Sequence, residues 1–110
     1  MTKKQAIEQC ILTIAEYFEI DPLALADQRK TRGARTKNAM AAFVFHLYSC
    51  GISYDRIGKF IFKHECQVRM YESQGRMMMK HEPHREMIES LPRIPTTLEI
   101  IKNATTQAPL

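Results

Sequence analysis

Ten residues in the middle of the chain limit its fold more than any others. Between Ala39 and Tyr48, apolar side chains stand at Ala39, Met40, Ala42, Phe43, Val44, Leu47 and Tyr48. They cover most of the circumference of a helix, so that helix needs neighbours on nearly every side. The segment is predicted to be the central member of an all-α bundle. Thr36 is the expected N-cap, and Gly51 is placed to end the helix in a left-handed turn.

The flanking segments have the patterns such a bundle requires. Ile7, Cys10, Ile11, Ile14, Ala15 and Phe18 form one stripe at steps of three and four, with Thr2 as N-cap and Glu8, Gln9 and Glu16 on the wet side. Asp21-Pro22 opens a short helix over Leu23 to Ala26 that is expected to bury Leu23 and Leu25. Ser53 caps a helix of about two turns that buries Ile57, Phe60 and Ile61. A further helix carries Val68, Met70, Tyr71 and the Met77-Met78-Met79 run, with Gly75 as the expected kink or split. Pro83 starts a last helix through Met87, Ile88 and Leu91, and Pro92 and Pro95 end regular structure. With no Trp and only four Gly, an all-β fold is disfavoured. The expectation is a compact bundle of five to six helices. It forms one domain over residues 1–95, followed by a mobile tail over 96–110 that holds at most a turn of helix at 97–102.

The net charge of +4 is unevenly spread. Residues 1–27 carry −3 and residues 81–110 carry −1, whereas residues 28–80 carry eleven cations against three anions, +8. Five of those cations (Arg29, Lys30, Arg32, Arg35 and Lys37) crowd into ten residues with no anion, a stretch too polar to pack and therefore a solvated loop. Concentrated positive charge suits a polyanion, because each cation near a phosphate releases condensed counterions.

Residues 53–75 combine a capped two-turn helix, a tight link, and a second helix that opens on His64, Glu65, Cys66 and Gln67. This is the spacing of a helix-turn-helix, whose second helix presents its first turn to base edges in the major groove. Val68 and Tyr71 back that turn, and its N-terminal dipole favours phosphate.

From about residue 14 to residue 91 the chain resembles the C-terminal DNA-binding domain of DnaA, the bacterial replication initiator, one of the Trp-repressor-like helical domains. The likeness starts at Ala15-Glu16-Tyr17-Phe18-Glu19-Ile20. It runs through Arg29-Lys30-Thr31-Arg32 and Ala34-Arg35-Thr36-Lys37-Asn38 to the Ala/Met-rich helix at 39–42 and the Ile57-Gly58 pair. The resemblance implies a monomer on double-stranded DNA, with Arg29, Lys30 and Arg32 at the minor groove. Arg35, Lys37 and Arg69 would hold phosphate, and Lys63, His64, Glu65, Cys66 and Gln67 would read bases. The family's R-D-H-T-T-V is here Lys63-His64-Glu65-Cys66-Gln67-Val68, with a link one residue shorter. Gln67 suits adenine and Glu65 suits cytosine N4, which implies a different target. A chain of 110 residues has no room for the family's ATPase module, so the expected role is an accessory, phage or mobile-element regulator of replication or transcription.

Other chemistries find less support. His46 and Cys50 stand four apart, but in the most apolar helix, where a small core cysteine is the better reading than a zinc ligand. No Ser/His/Asp or Cys/His nucleophile arrangement emerges, so neither an enzyme nor a cofactor or metal is expected. Three widely spaced cysteines and no apolar leader point to a reducing, cytoplasmic home, and no apolar run is long enough to span a membrane. A second reading keeps the fold but uses the Met-rich helix or the acidic N-terminal helix to bind another protein.

Overall fold

The computed structural model describes residues 2–26, 33–61 and 63–95. It contains six helices in chain order: α1 Lys3–Phe18, α2 Pro22–Ala26, α3 Ala34–Ser49, α4 Tyr54–Ile61, α5 Glu65–Met78 and α6 Glu82–Glu89. There is no strand among the described residues. The tail, the turn expected at 97–102, and Arg29, Lys30 and Arg32 lie outside them.

α3 is the hub. Ala39, Met40, Ala41, Ala42, Phe43 and Val44 are fully buried, and α3 packs against α1, α2, α4 and, most extensively, α5. Burying a side chain such as Phe43 contributes about 2 kcal/mol. The caps explain why the helices stop where they do. Thr2 and Gln5 form a reciprocal capping box on α1. The far end of α1 closes with Ile20 N–H donating to the Ala15 carbonyl, while Glu19 takes the left-handed conformation (φ 56°) that glycine would adopt without strain. Gly51 (φ 93°) does the same for α3, with Ile52 N–H donating to Leu47 O.

Five expectations need correction. α3 begins at Ala34 behind Gly33, so Arg35 and Lys37 stand on its first turns and not in the solvated loop expected over 28–37, because the helix reaches back to meet the glycine. Thr36 is accordingly a buried residue of the first turn and not its cap. Leu23 is 72% exposed, because the one-and-a-half turns of α2 turn only Leu25 inward. Phe60 is 48% exposed: Ile57 and Ile61 share the inward face of α4, and position 60 lies about 60° round from residue 57. Gly75 does not split α5, which runs unbroken from Glu65 to Met78. Instead it lets α3 and α5 touch, since a Cβ there would lie 2.4 Å from Phe45 Cβ and 2.5 Å from the Ala41 carbonyl oxygen.

The stretch after α6 is tied back to the core. Leu91 and Ile94 are buried. His46 Nε2 donates to the Pro92 carbonyl at 2.8 Å, the Cys10 thiol donates to the same oxygen at 3.5 Å, and Ile94 N–H donates to Cys50 Sγ at 3.4 Å. Cys50 is thus a core residue, 6% exposed. Burial opposes charge on His46, but the Cys10 sulfur and the Pro92 carbonyl outweigh it, and its pKa lies above the ordinary 6.5. His46→Phe removes the shorter of the two hydrogen bonds to the Pro92 carbonyl, leaving the Cys10 thiol as its donor, and should cost about 1 kcal/mol. Because the folded state holds the His46 proton more tightly, that group's pH-linked stability is complete below the unfolded pKa and lost as pH rises through the folded one. The stability gap between wild type and His46→Phe, measured by urea unfolding, should therefore shrink as pH rises above neutrality. A gap that widens would contradict this.

Candidate nucleic-acid interface

The junction of α4 and α5 is built on a close approach. Lys63 N–H donates to the Gly58 carbonyl at 3.0 Å, and a Cβ at Gly58 would lie 2.8 Å from the Lys63 carbonyl oxygen. Only glycine permits a link this tight. Behind it, Ile57, Ile61 and Val68 are fully buried. His64 is in extended conformation and caps α5 with its backbone carbonyl, which accepts from Gln67 and Val68 N–H.

That geometry pushes the first turn of α5 outward. His64, Glu65, Cys66 and Gln67 are exposed and Lys63 is half-buried, so the five residues expected to read bases form one surface. A cleft of about 430 Å³ runs beside it, lined by Tyr54, Asp55, Gly58 and Lys59 together with Lys63, His64 and Glu65. Glu65 is engaged by Arg69, whose Nη2 donates to it at 3.1 Å. The Arg69 guanidinium also sits 4.9 Å over the Tyr54 ring, which stacks on Tyr48 with centroids 4.3 Å apart. Arg69 is therefore held in a fixed direction by a cation–π contact and a carboxylate.

The other described cations expected to touch DNA are grouped elsewhere. Arg35 and Lys37 are exposed on the first turns of α3, and Arg35 Nη1 lies 3.4 Å from Glu19 Oε2. Lys37 shares a cleft of about 500 Å³ with Asn38, Gln74, Lys80, His81 and His84. α3 and α5 are antiparallel: Lys37 and Asn38 adjoin Gln74 at one end, and Tyr48 adjoins Glu65 at the other. The start of α3 and the tip of α5 are thus separated by about the length of α5, roughly 20 Å. Arg29, Lys30 and Arg32 precede Gly33 in the sequence and lie outside the described residues.

Sequence reasoning passed over Tyr54, Lys59, Lys80 and the inward side of His84, whose Nδ1 lies 2.8 Å from Tyr17 Oη. His81 and His84, three apart at a helix start, gave a local signal; the nearness of Lys37 did not. Among the described residues no group of three or more His, Cys, Asp or Glu is placed to hold a metal ion, and no helix is long and apolar enough to cross a membrane.

No protein-family model matches the chain, and neither a curated protein nor a solved structure does.

Proposed function

We propose that the chain binds double-stranded DNA through a helix-turn-helix formed by α4 and α5, in the manner of the C-terminal domain of DnaA. The first turn of α5 lies in the major groove, and the basic stretch 28–37 lies on the adjoining minor groove and phosphates. One observation carries this reading: the α5 tip is polar and exposed, yet rigidly backed by the fully buried Val68, Ile57 and Ile61. The roughly 20 Å between that tip and the start of α3 supports it, because adjoining grooves of a duplex lie about half a turn, roughly 17 Å, apart. The role that follows is an accessory, phage or mobile-element regulator of replication or transcription, acting in the cytoplasm as a monomer on DNA and not as an enzyme.

Selection of bound duplexes from a random pool, followed by titration of the best one across a salt series, tests this. Four or more phosphate contacts predict a log–log slope of about −3.6 or steeper. Gln67→Ala should relax sequence preference without changing that slope. Binding that stays flat between low and moderate salt would overturn the proposal.

A second reading, a protein-interaction module, has its own support: Met70 and Met77 on α5 are 48% and 57% exposed, and methionine is an adaptable contact residue. A single stoichiometric protein partner, recovered after nuclease and high salt and lost on Met77→Ser, would favour it.

A further inference from the structure

Along the seam between α1 and α4 two cavities, about 290 and 500 Å³, share Lys3, Ile7 and Phe60 and form one groove. Its floor is Leu47 and Ile57, both buried, and its walls are the half-buried Ile7, Ile11 and Ile52 with the exposed Phe60. Phe60 is the informative residue. It spends only part of its ring on Phe43, at a centroid distance of 6.3 Å, and leaves 48% of itself in water. α3 and α4 bury Met40, Phe43, Val44, Leu47, Ile57 and Ile61 yet leave this aromatic side chain as one wall of an apolar trough.

The rim is basic. Lys3 and Lys4 edge the α1 side, and Arg56 and Lys59 edge the α4 side. Against them stand Glu8 and Asp55, and Asp55 is already paired with Lys59 at 3.1 Å. We propose that this groove docks a short amphipathic helix of another protein, its apolar stripe on Ile7, Ile11 and Phe60 and its acidic flanks on the lysine and arginine rim. The trough follows α1 from Lys3 to Ile11, about 12 Å, the length of two helical turns. An i, i+3, i+4, i+7 stripe matches such a trough. Charge selects among occupants: a second copy related by a two-fold axis would set one basic rim against another, and nucleic acid has no stripe to fill an apolar floor. The inference stands whether or not the α5 tip grips DNA.

The test uses the full chain and a synthetic helical peptide of about ten residues, with Leu and Phe at i, i+3, i+4 and i+7 and Glu on both flanks. Amide and methyl NMR should show saturable shifts centred on Ile7, Ile11, Ile52 and Phe60. A scrambled peptide, and one with Lys in place of Glu, should each bind at least about tenfold more weakly. Phe60→Ala, at an exposed site that leaves the spectrum dispersed, should weaken binding about tenfold or more. Lys4→Glu, fully on the surface, should weaken the acidic peptide and strengthen the basic one. No saturation at millimolar peptide would overturn the proposal, as would equal binding of the scrambled peptide or an unaltered affinity in Phe60→Ala. Burial of Phe60 by self-association, or by contacts from residues 98–101, would overturn it as well.

Discussion

Gly75→Ala is expected to destabilise the protein by about 1–3 kcal/mol, read as a fall in the urea midpoint with an unchanged slope. Helix propensity alone predicts the opposite, a gain of about 1 kcal/mol from replacing a mid-helix glycine by alanine. The outcome turns on what the new methyl would meet. One neighbour is the Ala41 carbonyl oxygen at 2.5 Å, and the other is Phe45 Cβ at 2.4 Å. Both are held by the α3 backbone and neither can rotate away. The helices would have to separate, loosening the packing of α3 on the buried α5 face of Val68, Tyr71 and Met78. A midpoint equal to or above that of the wild type would show that the two helices are not in contact at residue 75.

The second large effect concerns binding. The double change Arg35→Glu, Lys37→Glu is expected to weaken duplex binding about 100-fold near physiological salt, by a similar factor for every sequence, and to flatten the log–log salt slope by about two. Unfolding would not explain such a loss. The Arg35–Glu19 pair is 69% and 78% exposed, so it adds little to stability, and acidic residues are favourable in the first turn of a helix. A loss confined to one preferred sequence would instead give these residues a base-reading role. Intact binding would remove the start of α3 from the interface.

Local signals made much of the fold legible beforehand. The Thr2 cap, Pro22 in the first turn of α2, the Ser53 cap and the Gly51 terminator each depend on residues within five positions of one another, and the α1 stripe on steps of three and four. What could not be read depends on distant partners. Whether Phe60 or Ile61 turns inward is decided by what covers α4, and the task of Gly75 is set by residues 41 and 45. Glu72 is a sharper case: its side chain is only 5% exposed, yet it bonds to Arg76 Nη2 at 2.7 Å. In the sequence it is an ordinary i, i+4 pair, and only the packing of α5 places one member of it inside. The candidate site divides the same way. Residues 63–67 share a surface because they follow one another through a single turn, whereas their distance from Arg35 and Lys37 comes from the antiparallel run of α3 and α5.

The tether at Pro92 has a consequence for how the protein is made. Cys10 and Pro92 meet across 82 positions, and Ile94 is fully buried with its N–H on Cys50. The interior cannot be sealed until translation has passed that isoleucine and the nascent chain has released it. Until then the oily centre stays partly uncovered, so closure of the core waits for residues made after α6.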